Sequence, residues 1–419
     1  LKFEDTMKIP SIDEQYQVWR DRQLFEIVDK KGLKEIVIKE LELLHTMSVE
    51  EYTLRKKWEE INVKYPLAPM VPKDTIGFFF GGEFVPTIRP EIQAVKENLW
   101  IPESPEDYLK LEPIIRQTDK TNIKNWTILR VFIHTQLNNP NIGRNLRFFV
   151  EDNVTGKYLG ILCLSSDFLD LTPRDEWIGW TREIRTQKKM IGHTTIGSTI
   201  VPTQPFGFSF VGGKLLALLT ASGIPEKVWN DRYKQTLAGL TTTSLYGGFS
   251  QYTRLKYWRK MGLSAGSIRF EPSKATVMLM RKWLMNEEPR KYFEWYFAKN
   301  PQGLPYKRDH KQRSLSFIYK ELKIPKNLVE TNHQRGIYFC QLYENTKEFL
   351  RMETQDLGKR MFDGSVESLT RLWKDRYASK RIASLLKNDR YSLETLFYDD
   401  LIGAEWKEAK EKYMAQVGR

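Results

Sequence analysis

Residues 193–221 read HTTIGSTIVPTQPFGFSFVGGKLLALLTA. The first nine are rich in Thr, Ile and Val and carry no Lys, Arg, Asp or Glu, which is the composition of a buried strand. The last eight, Lys214 to Ala221, are Leu- and Ala-rich and read as a helix. Two prolines and Gly207, Gly212 and Gly213 lie between, so a strand enters a helix through a glycine-bearing loop. Backbone N–H groups at such a helix start can hold a pyrophosphate, and glycine permits its close approach. Val201, Gly207, Gly212, Gly213 and Lys214 are the candidate phosphate-binding residues. A tight connector explains the same glycines.

Outward from this stretch, short apolar and aromatic runs read as strands: Trp126 to Ile133, Arg147 to Glu151 and Tyr158 to Ser165. The turn Asp152 to Gly156 joins the last two into an antiparallel hairpin. Thr236 to Ser244 reads as a further strand, followed by Tyr246-Gly-Gly248 and a helix from Ser250 to Met261 that stops at Gly262. Residues 12–64 read as helices, and Ser48 with Glu51 matches a capping box. A Pro-rich stretch from Pro66 to Pro113 cannot sustain long regular elements. After 270 the pattern is mainly helical, with amphipathic pieces at 367–386 and 404–414. The expected fold is α+β in three consecutive parts: a helical and Pro-rich region 1–121, a mixed-sheet core 122–270 and a basic helical region 271–419.

The 419 residues allow two or three self-sufficient cores. No uncharged run approaches a membrane span, and the N-terminal residues show no basic segment followed by an apolar one. Cys163 and Cys340 sit in apolar segments and read as buried spectator thiols. Five scattered histidines without metal-ligand spacing give no sequence-local metal site. The net charge of +13 is unevenly placed: residues 1–120 carry a net of −5 and the remainder +18. From Tyr252 to Arg290 nine basic residues face three acidic ones, with Tyr257, Trp258, Phe270 and Trp283 among them. Folded basic surface with interleaved aromatics suits a polyanion, because Lys and Arg displace counterions from phosphates and rings stack on exposed bases. A solvated basic face or an acidic protein partner fits the same pattern. Arg174, Arg254, Lys256, Tyr257, Trp258, Arg259, Lys260 and Arg335 are the candidate nucleic-acid contacts.

For chemistry, Arg174 and Asp175 beside Trp177, Ile178 and Trp180 suggest an ion pair fixed by packing, with Asp175 able to accept a proton. A structural salt bridge is the simpler explanation. Ser244, Tyr246 and Tyr252 add hydroxyls near a strand end, where an acyl-transfer intermediate could be stabilised; ordinary strand-edge hydroxyls look the same.

The strand, loop and helix of 193–221 resemble the Gcn5-related N-acetyltransferase superfamily, in which such a loop binds the pyrophosphate of acyl-CoA. Val211-Gly-Gly-Lys-Leu-Leu216 looks like the end of that loop, and Tyr257-Trp-Arg-Lys-Met-Gly-Leu263 is similar to the ending of its later helix. Over roughly 145–270 a closer resemblance is to the DruA-like proteins of the Druantia anti-phage system and their phage-encoded relatives. It is carried by Tyr158-Leu-Gly-Ile-Leu162, Ser165-Ser-Asp167, Pro173-Arg-Asp-Glu-Trp-Ile-Gly-Trp180 and Tyr252 with Trp258 to Gly262. The phage Mom DNA-modification proteins are similar more remotely, in arrangement of elements alone. These resemblances imply an acetyltransferase-like core, an acyl-CoA or other acyl or aminoacyl donor, DNA and other phage or defence proteins as partners, and a place in the bacterial cytoplasm or a virion. The expected function is transfer of a group onto a DNA base. The alternative is a non-catalytic nucleic-acid-binding component of a phage virion or defence assembly.

Overall fold

The computed structural model describes residues 9–25, 27–62, 77–80, 83–86, 90–130, 143–207, 211–245, 250–306, 310–391 and 404–417. The chain forms two compact units, residues 1–48 with 268–332 and residues 49–267 with 333–419. The helices within residues 12–45 share a unit with residues 268–332, whereas the helix Val49–Asn62 falls in the other.

The smaller unit is helical. Its first helix, α1 (Ile12–Arg20), opens on a capping box between Ser11 and Glu14. The helix Lys30–His45 is capped by Asp29 and buries Leu33, Val37, Leu41 and Leu44, one stripe at helical spacing. Among its described residues follow the helices Lys274–Glu287, Pro289–Tyr296 and His310–Glu321 and the single turn Lys326–Val329.

The larger unit is built on a seven-stranded mixed sheet: β1 (Pro113–Gln117), β2 (Asn145–Asp152), β3 (Tyr158–Ser166), β4 (Thr194–Pro202), β5 (Gly239–Ser244), β6 (Trp258–Arg269) and β7 (Glu330–Gln341). Their spatial order is β1-β2-β3-β4-β5-β7-β6. β4 and β5 run parallel, while β1 to β4 and the β5/β7 pair are antiparallel. The β2/β3 hairpin forms as expected: Asp152 accepts from the Thr155 backbone and hydroxyl, and Gly156 takes the positive φ its turn needs.

Alternate residues of β2, and of β3 from Ile161 onward, bury on opposite faces, Leu159 being the extra residue where the register shifts opposite Val150 and Glu151. Leu146, Phe148, Val150, Leu159, Leu162 and Leu164 belong to the core on one face, which contains α3 (Val211–Thr220), while Phe149, Ile161 and Cys163 pack on the other with Trp126 and Tyr413. α3 is apolar all round and almost wholly buried, so its four leucines contribute roughly 1.5–3 kcal/mol each. The helical pieces expected at the C-terminal end form within Val366–Lys387 and Trp406–Val417. Both cysteines are buried free thiols.

Three elements differ from the sequence reading, the first being the strand β7 (Glu330–Gln341), which forms within the region after 270 that reads as mainly helical. The run expected as a strand from Trp126 begins as a helix, Ile123–Leu129, whereas residues 131–133 lie outside the described residues. Trp126 and Leu129, three apart, bury together, and the Trp126 indole N–H donates to the Phe148 carbonyl. The segment expected as a helix from Ser250 to Met261 is a turn followed by β6. Arg254 and Tyr257 take φ of 56° and 73°, which no α-helix accommodates, and Gly262 lies inside the strand beside Pro173 rather than capping a helix.

Candidate functional site

The two parallel strands at the centre of the sheet part company. β4 and β5 pair only at Thr194 with Gly239, Thr195 with Leu240 and Ile196 with Thr241. Just beyond, the β3/β4 register slips, Cys163 facing Thr199 and Leu164 facing Gly197, so that Ser198 is the extra residue of a bulge. A bulge bends its strand and increases its twist, which turns β4 away from β5.

Side chains of the chain itself occupy this divergence. The Gln251 amide donates to the Ile200 carbonyl at 2.8 Å and to the Tyr252 hydroxyl at 2.9 Å. Thr242 donates to the Gly197 carbonyl at 3.0 Å, crossing from β5 to β4. Tyr252 is buried against Trp258 and Tyr338, and burial pushes its phenol up to about 12 against the opposing hydrogen bonds from Thr242 and Gln251. The Lys214 ammonium donates to the carbonyls of Gln251 and Thr253 at 3.0 and 2.7 Å. Burial, with the Arg381 charge, lowers its pKa to about 8.

The glycines expected to cradle a donor admit the chain's own groups instead. A Cβ at Gly213 would lie 2.3 Å from Gln251 Oε1, one at Gly212 2.5 Å from the Phe206 ring, and one at Gly207 2.6 Å from Pro202 Cγ. The Gly212 N–H donates to the Phe206 carbonyl at 3.0 Å. Val201 packs on the sheet face opposite α3. The chain's own groups thus take up the space beside these glycines, while residues 208–210 of the loop lie outside the described residues.

Asp175 stands elsewhere. The motif Pro173 to Trp180 forms the helix α2 (Thr172–Ile178), with Pro173 in its first turn and Gly179 left-handed at its end. Arg174 on α2 is fully buried and bonds Asp167 at 2.7 Å, Asp175 at 2.6 Å and the Phe168 carbonyl at 2.9 Å, with Trp180 against its guanidinium. Asp167 also accepts from Thr241, and Asp175 from Arg185 at 2.5 Å and the Leu171 N–H at 3.0 Å. Both Asp175 oxygens are therefore taken within a buried network, which closes it to the proton-accepting role expected. Thr241 and Thr242 are consecutive on β5 and point to opposite faces, so Asp175 lies on one side of the sheet and Tyr252 on the other. Ser244 is buried at the end of β5 opposite Gly336, and Tyr246 lies outside the described residues. Gln251 and Arg185 escaped the sequence reading because nothing in their spacing marks them. Asp167 stood at the end of the quoted Ser165-Ser-Asp segment, and its acidity beside Arg174 was the available signal.

The expected nucleic-acid contacts divide by exposure. Arg174, as above, and Trp258, whose indole donates to the Ala217 carbonyl, are buried and closed to a ligand. Tyr257 is half-buried and stacks on Phe362 at 4.0 Å. Arg254, Lys256, Arg259 and Lys260, on the edge strand β6 and the turn before it, are exposed, as is Arg335 on the adjacent β7. Among the described residues none of these five forms an ion pair. Arg259 and Lys347 both lie over Trp177, at 5.6 and 4.8 Å from its ring centre. Among the described residues no group of three or more His, Cys, Asp or Glu could hold a metal ion, and no helix is long and apolar enough to cross a membrane.

The family model described as Druantia protein DruA matches residues 103–352, more than half of the chain. The chain belongs to the DruA family. The matched span includes the Arg174 network, the divergence of β4 from β5 and the whole of β6. A curated relative, the Druantia protein DruA of Escherichia coli (strain UMEA 4076-1), is 26% identical over 226 residues, covering 50% of this chain and 54% of the relative. The chain thus spans about half the length of the curated relative it matches. No solved structure matches the chain.

Proposed function

We propose that this DruA-family chain is a nucleic-acid-binding component of an anti-phage defence assembly of the Druantia kind, working with other defence proteins. One observation carries the reading: Arg254, Lys256, Arg259, Lys260 and Arg335 are exposed and unengaged by carboxylates, on the turn, edge strand and neighbouring strand at one end of the sheet. Cations left unpaired on a folded surface keep their full attraction for phosphates, whereas ion-paired ones must first give up a partner. Arg259 and Lys347 over Trp177 extend the same surface. Retention of DNA or RNA on the protein across a salt series tests this. Five phosphate contacts predict a log affinity against log salt slope of about −4.5 on duplex DNA; a slope near zero, or no retention at low salt, would contradict the reading.

Group transfer to a DNA base, from acyl-CoA or another acyl or aminoacyl donor, is the second reading. Its support is the parting of the parallel strands β4 and β5 beside the desolvated Lys214. It ranks second because Gln251 and Tyr252 fill that divergence. Nucleoside mass spectrometry on DNA from cells expressing the chain separates the two. A new nucleoside mass that vanishes in Tyr252→Phe would favour transfer, and unchanged masses with DNA still bound would favour binding alone.

A further inference from the structure

A second feature of nucleic-acid type lies in the smaller unit. Between α1 and the end of the helix Pro289–Tyr296 runs a groove of about 770 Å³ lined by Glu14, Trp19, Arg22, Phe293, Phe297 and Lys299, among others. Its α1 side is one helical face. The Trp19 ring packs 5.5 Å from Phe293 and 5.8 Å from Phe297, and Phe297 stays 49% exposed. A large ring left half in water at the wall of a groove is an open stacking surface.

The charges are arranged around these rings. Lys299 is tied to the Gln15 end of α1 by its backbone N–H, which donates to Gln15 at 3.0 Å. Arg22 follows the other end of α1. From Ile12 to Arg20 the helix α1 spans roughly 12 Å. Both cations are exposed, and among the described residues neither forms an ion pair. Rings in the middle with a free cation toward each end match a short stretch of single strand, with a base on the rings and its flanking phosphates on the cations. Glu14, whose carboxylate holds the Ser11 N–H and hydroxyl, presents an acceptor beside the rings, which suits the N–H edge of a base and repels a phosphate from that point.

We infer that this groove is a stacking site for unpaired nucleobases, specific for single-stranded over duplex nucleic acid. The inference rests on the nucleic-acid reading above and assigns it a second contact of different chemistry. An acidic, apolar peptide is the competing occupant.

The test is fluorescence anisotropy with a labelled 12-nucleotide single strand and a 12-base-pair duplex on the full chain. The variants are Trp19→Ala and the surface pair Arg22→Glu with Lys299→Glu. The expected result is a loss of about tenfold in single-strand affinity for Trp19→Ala. The charge pair should reduce the salt slope by about 1.4, and duplex affinity should hold within twofold in both variants. If Trp19→Ala fails to fold, the charge pair decides. Single-strand affinity unchanged in the folded variants overturns the groove assignment and leaves the surface to a protein partner. Loss of binding only on reversing charges in β6 has the same consequence while sparing the broader reading. Wild-type chain that binds neither probe overturns both.

Discussion

Arg174 shows how one side chain ties sequence motif to architecture. It is fully buried and neutralised by Asp167 and Asp175, so the motif Pro173 to Trp180 anchors α2 to β5 through Thr241. Removing the cation leaves two carboxylates with lost partners in the interior. Arg174→Met is expected to destabilise the larger unit by about 3–5 kcal/mol, read from the shift in its urea transition; a loss below about 1 kcal/mol would show that the network is solvated. Lys214 makes a pH-dependent contribution of calculable sign. Its pKa falls from 10.5 to about 8 on folding, so between those values the unfolded chain holds a proton that the folded chain has released. Stability therefore rises with pH through that window, and below pH 8 the penalty of burying the charge is constant. The difference in urea midpoint between wild type and Lys214→Met should grow in favour of wild type from pH 7.5 to pH 9.5. A flat difference would place the ammonium in water.

Elements differ in how plainly their residues announced them. β2, β3, β4, β5 and α3 were legible because each is bounded by turn residues and carries a single uninterrupted pattern, as in Lys214 to Ala221. The helix at Ile123–Leu129 was hidden because Trp, Ile, Leu and Val fit a strand as well as one buried helix face, and only the Phe148 carbonyl receiving the Trp126 N–H decides. β6 was hidden by Tyr257 to Gly262, whose spacing mimics a capped helix; the positive φ of Arg254 and Tyr257 is a tertiary outcome that composition does not encode. The candidate site was legible in its members Lys214 and Tyr252, but not in their surroundings, since the reach of Gln251 to the Ile200 carbonyl joins residues 51 apart. Glycine positions give a test of the sheet packing. A Cβ at Gly160 on β3 would meet Leu216 of α3 at 2.3 Å and the Val201 carbonyl at 2.6 Å, whereas one at Gly266 on β6 meets nothing within 4 Å. Gly160→Ala should cost about 1–3 kcal/mol and Gly266→Ala less than about 0.5 kcal/mol in the same unfolding measurement. Equal costs would mean that α3 does not press on β3 as described.

For the whole molecule, the net charge of +13 gives a general attraction for polyanions, and the distribution of unpaired cations decides where that attraction is spent. A non-specific attraction would be shared among all the basic residues, so reversing any four of them would have a similar effect. A localised interface at the end of the sheet predicts a strongly unequal response. The most direct measurement is duplex DNA affinity across a salt series for wild type, for Arg254→Glu, Lys256→Glu, Arg259→Glu and Lys260→Glu combined, and for a control that reverses four exposed lysines elsewhere: Lys31, Lys120, Lys227 and Lys387. The β6 variant should lose most of its salt-dependent binding, with its slope reduced by about 3.6, while the control keeps affinity within about tenfold and both retain the wild-type circular dichroism. Equal losses in the two variants, or undiminished binding by the β6 variant, would contradict a nucleic-acid interface on this strand.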